Sequence, residues 1–249
     1  MSNFLIDPYR FVAGVSLTDN LKLYYTMGDD GDQLNTASDV GSTDAIADST
    51  VELFGSTTSG EAGHVSGVDS IGFPEHDVHG NYATSSNPAS DYDFLVTDSS
   101  DTVWTICFWA KTECAGAGCA QDFWGLNGNG AGNDIQFRYG APNNQFTIWF
   151  AGNEITTFGL SMTDTNWHFY TVQWDEPNGL ASFQIDDGSM VTKTSITTSN
   201  TSSPPAPIRW GDVSGNEMEG YIQLFSVWNR ILSADEITEL WNSGAGREI

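Results

Sequence analysis

The stretch GYIQLFSVWNRILSADEITELWNSG, residues 220–244, decides how the rest of the chain is read. Its first half, Tyr221 to Trp228, is rich in aromatic and branched side chains, which suit the pleated surface of a strand. After Asn229-Arg230 the period changes. Ser233-Ala-Asp-Glu236 has the spacing of a capping box, in which the Ser oxygen and the Glu carboxylate each accept an amide hydrogen left over by the first helical turn. Ile237, Leu240 and Trp241 then fall at i, i+3 and i+4, a one-sided apolar stripe suited to closing the end of a sheet. Gly244 is expected to stop the helix.

Working outward from this strand and helix, the upstream segments carry the two-residue period of half-buried strands. In Trp104 to Ala110 one face holds Trp104, Ile106, Phe108 and Ala110, and the other holds Thr105, Cys107 and Trp109. Ile135, Phe137 and Tyr139 alternate with Gln136 and Arg138, and Phe146, Ile148 and Phe150 alternate with Thr147 and Trp149. Asp187-Gly188 marks a tight turn, and Pro204-Pro205 interrupts a Ser/Thr-rich link before Ile208. Between Gly28 and Ser100, short apolar islands at residues 51–54, 68–73 and 94–96 stand among Asp, Ser, Thr and Gly, the pattern of loops joining short strands. Many short strands, polar connections and one capped helix predict an all-β fold of two packed antiparallel sheets.

In this order the segments resemble laminin-G-like (concanavalin A-like lectin) jelly-roll domains. LKLYYTM at residues 21–27 resembles the family's opening strand, TICFWAK at 105–111 its central aromatic strand and WHFYTVQWD at 167–175 its W-H-x-V-x-V-x-Y-D strand. FQIDDG at 183–188, PIRWG at 207–211 and the closing WNRILSADEITELWNSG complete the series. The resemblance covers residues 20 to 244 and implies a two-sheet antiparallel jelly-roll sandwich with a short C-terminal helix.

A chain of 249 residues is long enough to bury a core in one such domain without staples. Its 33 acidic against 8 basic residues give a formal charge of -25, which repels nucleic-acid phosphates and anionic membrane surfaces alike. No apolar run reaches bilayer length, so no membrane insertion is expected, and MSNFLIDPYRF lacks the basic and apolar regions of an export signal. Of the three cysteines, Cys107 lies in a strand, while Cys114 and Cys119 flank a small loop as either a disulfide or two free thiols.

Residues 1–19 read as an N-terminal arm and residues 20–249 as the jelly-roll domain. Within the arm, Phe4, Leu5, Ile6, Tyr9 and Phe11 form an apolar cluster that is buried either against its own domain or against a partner subunit. Carboxylates separated by glycines after the opening strand can curl around a hard cation, and the resemblance points to Asp29, Asp30 and Asp39 as ligands for Ca²⁺. The chain departs from the family's pattern at Gln223, where many relatives carry an acid. His64, His76 and His79 read as ordinary loop histidines, and His168 as a packing or hydrogen-bonding residue.

The stretch from Asp122 to Asp134 reads as a glycine- and asparagine-rich loop. Sugar recognition needs a ring to stack on a sugar face and polar groups to bond hydroxyls, and here Trp124, Asn127, Asn129 and Asp134, extended by Arg138, Trp149 and Trp210, supply both. The alternative is that the aromatics are core and the Gly/Asn positions are turns. Glycoside hydrolysis requires two carboxylates flanking the bond. Glu217-Met218-Glu219 comes nearest to that arrangement but sits between Gly215 and Gly220, in an expected loop, so no enzyme is expected.

The apolar arm, the Met1 start, the missing export signal and the lectin-like body together resemble a phage structural protein, a capsid decoration or tail fibre subunit of the virion. The expected mechanism is assembly through the arm as a homo-oligomer or onto capsid or tail proteins, with the loops displayed toward host-surface glycans. Many copies turn weak sugar contacts into avidity. A free carbohydrate-binding module is the alternative, and a glycan hydrolase ranks below both.

Overall fold

The computed structural model describes residues 16–28, 33–38, 41–43, 45–46, 50–74, 80–96, 102–115, 118–126, 135–140, 144–150, 153–196, 206–213 and 215–249. The arm cluster Phe4, Leu5, Ile6, Tyr9 and Phe11, and the candidates Asp29, Asp30, Asp39, Asn127, Asn129 and Asp134, lie outside these residues.

Among the described residues the strands are, in chain order, β1 (Leu21–Tyr25), β2 (Gln33–Leu34), β3 (Thr50–Phe54), β4 (Thr58–Glu61), β5 (Ser70–Phe73) and β6 (Tyr82–Ser85). There follow β7 (Val103–Thr112), β8 (Gln121–Leu126), β9 (Ile135–Gly140), β10 (Gln145–Phe150), β11 (Asn153–Thr157) and β12 (Trp167–Asp175). The series closes with β13 (Leu180–Ile185), β14 (Val191–Thr194), β15 (Ile208–Gly211), β16 (Gly220–Trp228) and one α-helix, α1 (Ala234–Trp241). One sheet runs β14-β13-β12-β7-β16-β5-β4, with β1 pairing beside the second half of β16. The other runs β11-β10-β9-β8-β15-β6-β3-β2. Every strand pair is antiparallel, and the two sheets form the jelly-roll sandwich that the sequence predicts.

Rings fill the space between the sheets. Trp104, Ile106, Phe108 and Ala110 of β7 face Phe123, Phe137, Phe146 and Ile148 of the opposite sheet, all fully buried. Phe108 stacks on Tyr170 at 5.2 Å and tilts against Phe123 at 6.0 Å, the offset and tilted geometries that the ring quadrupole favours. Truncating one such ring costs about 3–5 kcal/mol, so this interior carries a large share of the fold's stability.

The other face of the first sheet carries a second apolar cluster. Cys107 and Trp109 of β7, Phe169 of β12 and Leu224 of β16 point away from the sandwich, and Ile237 and Leu240 of α1 cover them. Trp241, half-buried, stacks on Trp109 at 5.2 Å. Burial raises the Cys107 thiol to about 12, which keeps it protonated and inert at neutral pH.

The helix begins as the capping box prescribes: the Ser233 side chain accepts the Glu236 N–H, and Glu236 accepts the Ser233 N–H at 2.8 Å. Arg230 adds two hydrogen bonds to the same carboxylate, at 2.6 and 3.1 Å. It also donates to the carbonyls of Ser16 and Asp19, which fastens the end of the 1–19 segment to the domain. The helix stops two residues earlier than expected. Asn242 takes the left-handed conformation (φ 48°, ψ 49°), which asparagine tolerates, and Gly244 lies in the tight turn beyond it.

Cys114 and Cys119 are joined in a disulfide. Phe94 and Leu95 finish a 3₁₀ turn spanning Ala89–Leu95, Val96 caps it, and none of the three joins a strand. The expected loop from Asp122 onward is a strand as far as Leu126.

Candidate functional site

The outward side of the second sheet has no helix over it in the described residues. Its register sets out one row of Trp149, Gln136, Gly125, Arg209, Thr84 and Glu52, each opposite the next on the neighbouring strand. A second row holds Thr147, Arg138, Asp122 and Gly211, with Tyr82 and Phe54 opposite each other on β6 and β3.

Two stacks of ring and guanidinium stand on this face. Toward the β3 edge, Phe54 lies flat on Tyr82 at 4.6 Å and 11°. From the other neighbouring strand, Arg209 places Cζ 3.4 Å from the centre of the same ring. Tyr82 is thus held between two planes, and Phe54 remains 38% exposed, one of two large apolar side chains so placed among the described residues. Toward β10, the guanidinium of Arg138 lies 5.0 Å from the Trp149 ring, whose Nε1 donates to Thr147 Oγ1 at 3.1 Å. Such cation–π pairs fix the ring and the guanidinium in one orientation.

Buried aspartates serve both arginines. Arg138 Nε lies 3.5 Å from an Asp122 oxygen, and Arg209 Nη2 donates to Asp212 at 3.5 Å. Asp212 also accepts the N–H groups of Gly80 and Gly215, at 3.1 and 3.0 Å. Burial pulls the Arg209 pKa below its ordinary value, while Asp212, Tyr82 and Asp122 act in the opposite direction. The segment after β15 lies over the middle of the face: a Cβ added to Gly125 would come 2.6 Å from Val213 Cγ1, so only glycine fits there. Hydrogen bonds from Asp122 N–H to Asn216 O and from Met218 N–H to Gly211 O hold that segment down. It carries Glu217, buried, and Glu219, half-buried, in the loop that the sequence predicts.

Of the six ligand-binding candidates, the structure brings Arg138 and Trp149 together. Trp124 is a correction: it is fully buried and packs edge-on against Trp104 at 5.8 Å, so its ring is not presented to solvent. The cause is a β-bulge in β8. The pairing with β9 shifts between Asp122 and Trp124, so both Phe123 and Trp124 turn inward, where simple alternation would have sent one of them out. Trp210 is likewise core, edge-on to Tyr25 at 5.7 Å. Sequence reasoning missed Phe54, Tyr82 and Arg209 as surface residues. The alternation Ile208-Arg209-Trp210 carried the signal for Arg209, whereas NYATS at 81–85 has too few apolar residues to announce the strand that positions Tyr82.

The remaining candidates have structural partners. His64 donates from Nε2 to the Gly244 carbonyl at 2.7 Å and stacks on Trp109 at 4.1 Å. His168 bridges Asp186 and Asp164, at 2.7 and 3.1 Å. Gln223, fully buried, accepts the N–H groups of His64 and Val65 and donates to the Val68 carbonyl, so its amide ties that loop to β16. Among the described residues no group of three or more His, Cys, Asp or Glu side chains is placed to hold a metal ion.

Comparison with known proteins gives one family model, described as the concanavalin A-like lectin/glucanases superfamily, which matches residues 80–238. No curated protein matches the sequence. Among solved structures, the fold is similar to that of Trypanosoma rangeli sialidase, with a TM-score of 0.62 at 11% identity, covering 92% of this chain and 34% of that one. It is also similar to botulinum neurotoxin type C, solved in work on its dependence on two ganglioside molecules for cell entry, with a TM-score of 0.61 at 14% identity, covering 90% of this chain and 51% of that one. A third is the binding domain of botulinum neurotoxin DC in complex with rat synaptotagmin II, with a TM-score of 0.60 at 13% identity over 92% and 52% of the two chains. This chain thus spans about a third to a half of the solved proteins that it matches.

Proposed function

The chain belongs to the concanavalin A-like lectin/glucanases superfamily, and on that premise we propose that it is a non-catalytic saccharide-binding module whose site is the outer face of the second sheet. The observation that carries the proposal is the Phe54–Tyr82–Arg209 stack. An exposed phenyl ring backed by a second ring is a rigid apolar plate for the C–H face of a sugar, and a neighbouring guanidinium offers planar N–H donors to its hydroxyls. A ring plate with a few polar groups converging beside it has the make-up of a ligand site. The same fold in a neurotoxin whose cell entry depends on gangliosides agrees with this reading.

The carboxylates of the face support binding over hydrolysis. Asp122 and Asp212 are committed to arginines and backbone amides, and Glu217 is buried under its own loop. A hydrolase needs a proton-donating acid and a second carboxylate facing the same bond. Affinity electrophoresis through gels containing soluble polysaccharides tests the proposal: the chain is retarded by at least one of them, and Phe54→Ala migrates freely. Release of reducing ends that falls with Glu217→Gln would contradict the non-catalytic reading, and free migration in every gel would sink binding.

The placement proposed for the module is the virion, as a capsid decoration or tail fibre subunit, with Phe4, Leu5, Ile6, Tyr9 and Phe11 of the 1–19 arm fastening it to further copies or to capsid or tail proteins. The density of apolar residues in FLIDPYRFV supports this. Light scattering on the chain with and without residues 1–15 tests it, an oligomer giving way to a folded monomer. Calcium at Asp29, Asp30 and Asp39 is a further proposal, tested by whether calcium raises the melting temperature and chelator reverses it.

A further inference from the structure

We infer that the saccharide taken by the Phe54–Tyr82–Arg209 face is uncharged, a neutral hexose-type sugar and not one bearing a carboxylate. This inference rests on the saccharide reading above and adds the ligand's charge class to it.

The charges on this face cancel locally. The face presents two guanidinium groups, Arg138 and Arg209. Each already has a buried carboxylate 3.5 Å away, Asp122 and Asp212, so the two positive charges meet two negative ones within the protein. Exposed Glu52, opposite Thr84 in the row that contains Arg209, tips the balance to the negative side. Around this lies a chain of formal charge -25, whose long-range field opposes the approach of any anion. A carboxylate-bearing sugar would enter a site with no net positive charge on a strongly negative protein. It would also have to compete with aspartates that are already in place.

A neutral sugar meets none of these costs. Its hydroxyls need donors and acceptors in fixed positions, and a guanidinium carries five N–H groups, more than one aspartate contact uses. Asp122 lies against Nε of Arg138 and Asp212 accepts from Nη2 of Arg209, so neither aspartate contact occupies both terminal nitrogens of its guanidinium. The stacking of each guanidinium on a ring fixes its plane, and hydroxyl recognition depends on donor direction more than on charge. The arginines here act as oriented donors whose charge is cancelled by the protein.

The test is calorimetric titration of the full chain with matched probes, each a neutral oligosaccharide beside its sialylated or uronic-acid counterpart, such as lactose beside 3′-sialyllactose, chosen from the polysaccharide class that retards the chain. The neutral member binds at least about tenfold more tightly, and its affinity changes less than about twofold between roughly 0.05 and 0.5 M salt, because no net charge is exchanged. Phe54→Ala, and separately Arg209→Lys, which keeps the charge and loses the planar fork, each weaken the neutral probe about tenfold. Tighter binding of the acidic member overturns the inference and leaves the saccharide reading standing. Binding of neither member of any pair overturns both. A neutral probe whose affinity is unchanged in both variants sits elsewhere and overturns the inference as well.

Discussion

The two sheets turn different surfaces outward. On the first, Trp109, Cys107, Phe169 and Leu224 would expose a continuous apolar patch, and the chain's last helix closes over them with Ile237 and Leu240. On the second, the outward residues are rings paired with arginines over buried aspartates, and among the described residues no helix covers them. Apolar area on the first face is sealed by the protein itself, which yields stability. On the second, Phe54 is left 38% exposed beside oriented donors, and the proposed saccharide site rests on that exposure.

Substitutions on the sealed face give the largest effects on stability and none on binding. Trp109→Ala removes a fully buried ring that stacks on Trp241 and His64, and is expected to cost about 3–5 kcal/mol of unfolding free energy while leaving saccharide affinity unchanged in the folded fraction. Denaturant titration reads this, and a loss below about 1 kcal/mol would break the contrast between the faces. Ser233→Ala removes one half of the capping box and costs about 1 kcal/mol, seen as a lower melting temperature without loss of the sheet signal in circular dichroism.

A pH effect sharpens the contrast further, since it arises away from the open face. His168 has its pKa raised above 6.5, first by its hydrogen bond to Asp186 and also by that to Asp164. A raised folded pKa contributes stability that is fully present below about 6.5 and lost as pH rises through the folded value. Asp164, in turn, has its pKa lowered below 3.8, chiefly by the Asn166 N–H and by His168, so its contribution is lost as pH falls through that lower folded value. The melting temperature of the wild type is therefore expected to exceed that of His168→Gln near pH 5.5 and to converge on it near pH 8.5. Equal differences at both pH values would show that the histidine acts by packing alone. Phe54→Ala gives the smallest stability change, within about 0.5 kcal/mol, because its ring is largely outside the core.

The sealed face was legible in the sequence and the open one only in part. Thr105, Cys107 and Trp109 alternate with Trp104, Ile106 and Phe108, so a strand apolar on both sides could be read directly, as could the capped helix that covers it. Arg138 and Trp149 were legible because β9 and β10 alternate without interruption. Trp124 was misread because a bulge changes facing without changing composition. Phe54 and Tyr82 gain their meaning from a cross-strand pair on β3 and β6, strands 28 residues apart at that pair, and local periodicity holds no information about which strands become neighbours. The end of the helix was placed two residues late because Asn242 took the left-handed position expected of Gly244.

The most direct test of the account is chemical-shift mapping of the isotope-labelled full chain during titration with the neutral oligosaccharide that it binds most tightly. Shifts that gather on Phe54, Tyr82, Thr84 and Arg209 and leave Trp109 and Trp241 unmoved are what the account predicts. Shifts that gather around α1 or Cys114–Cys119 while β3, β6 and β15 stay silent would contradict it.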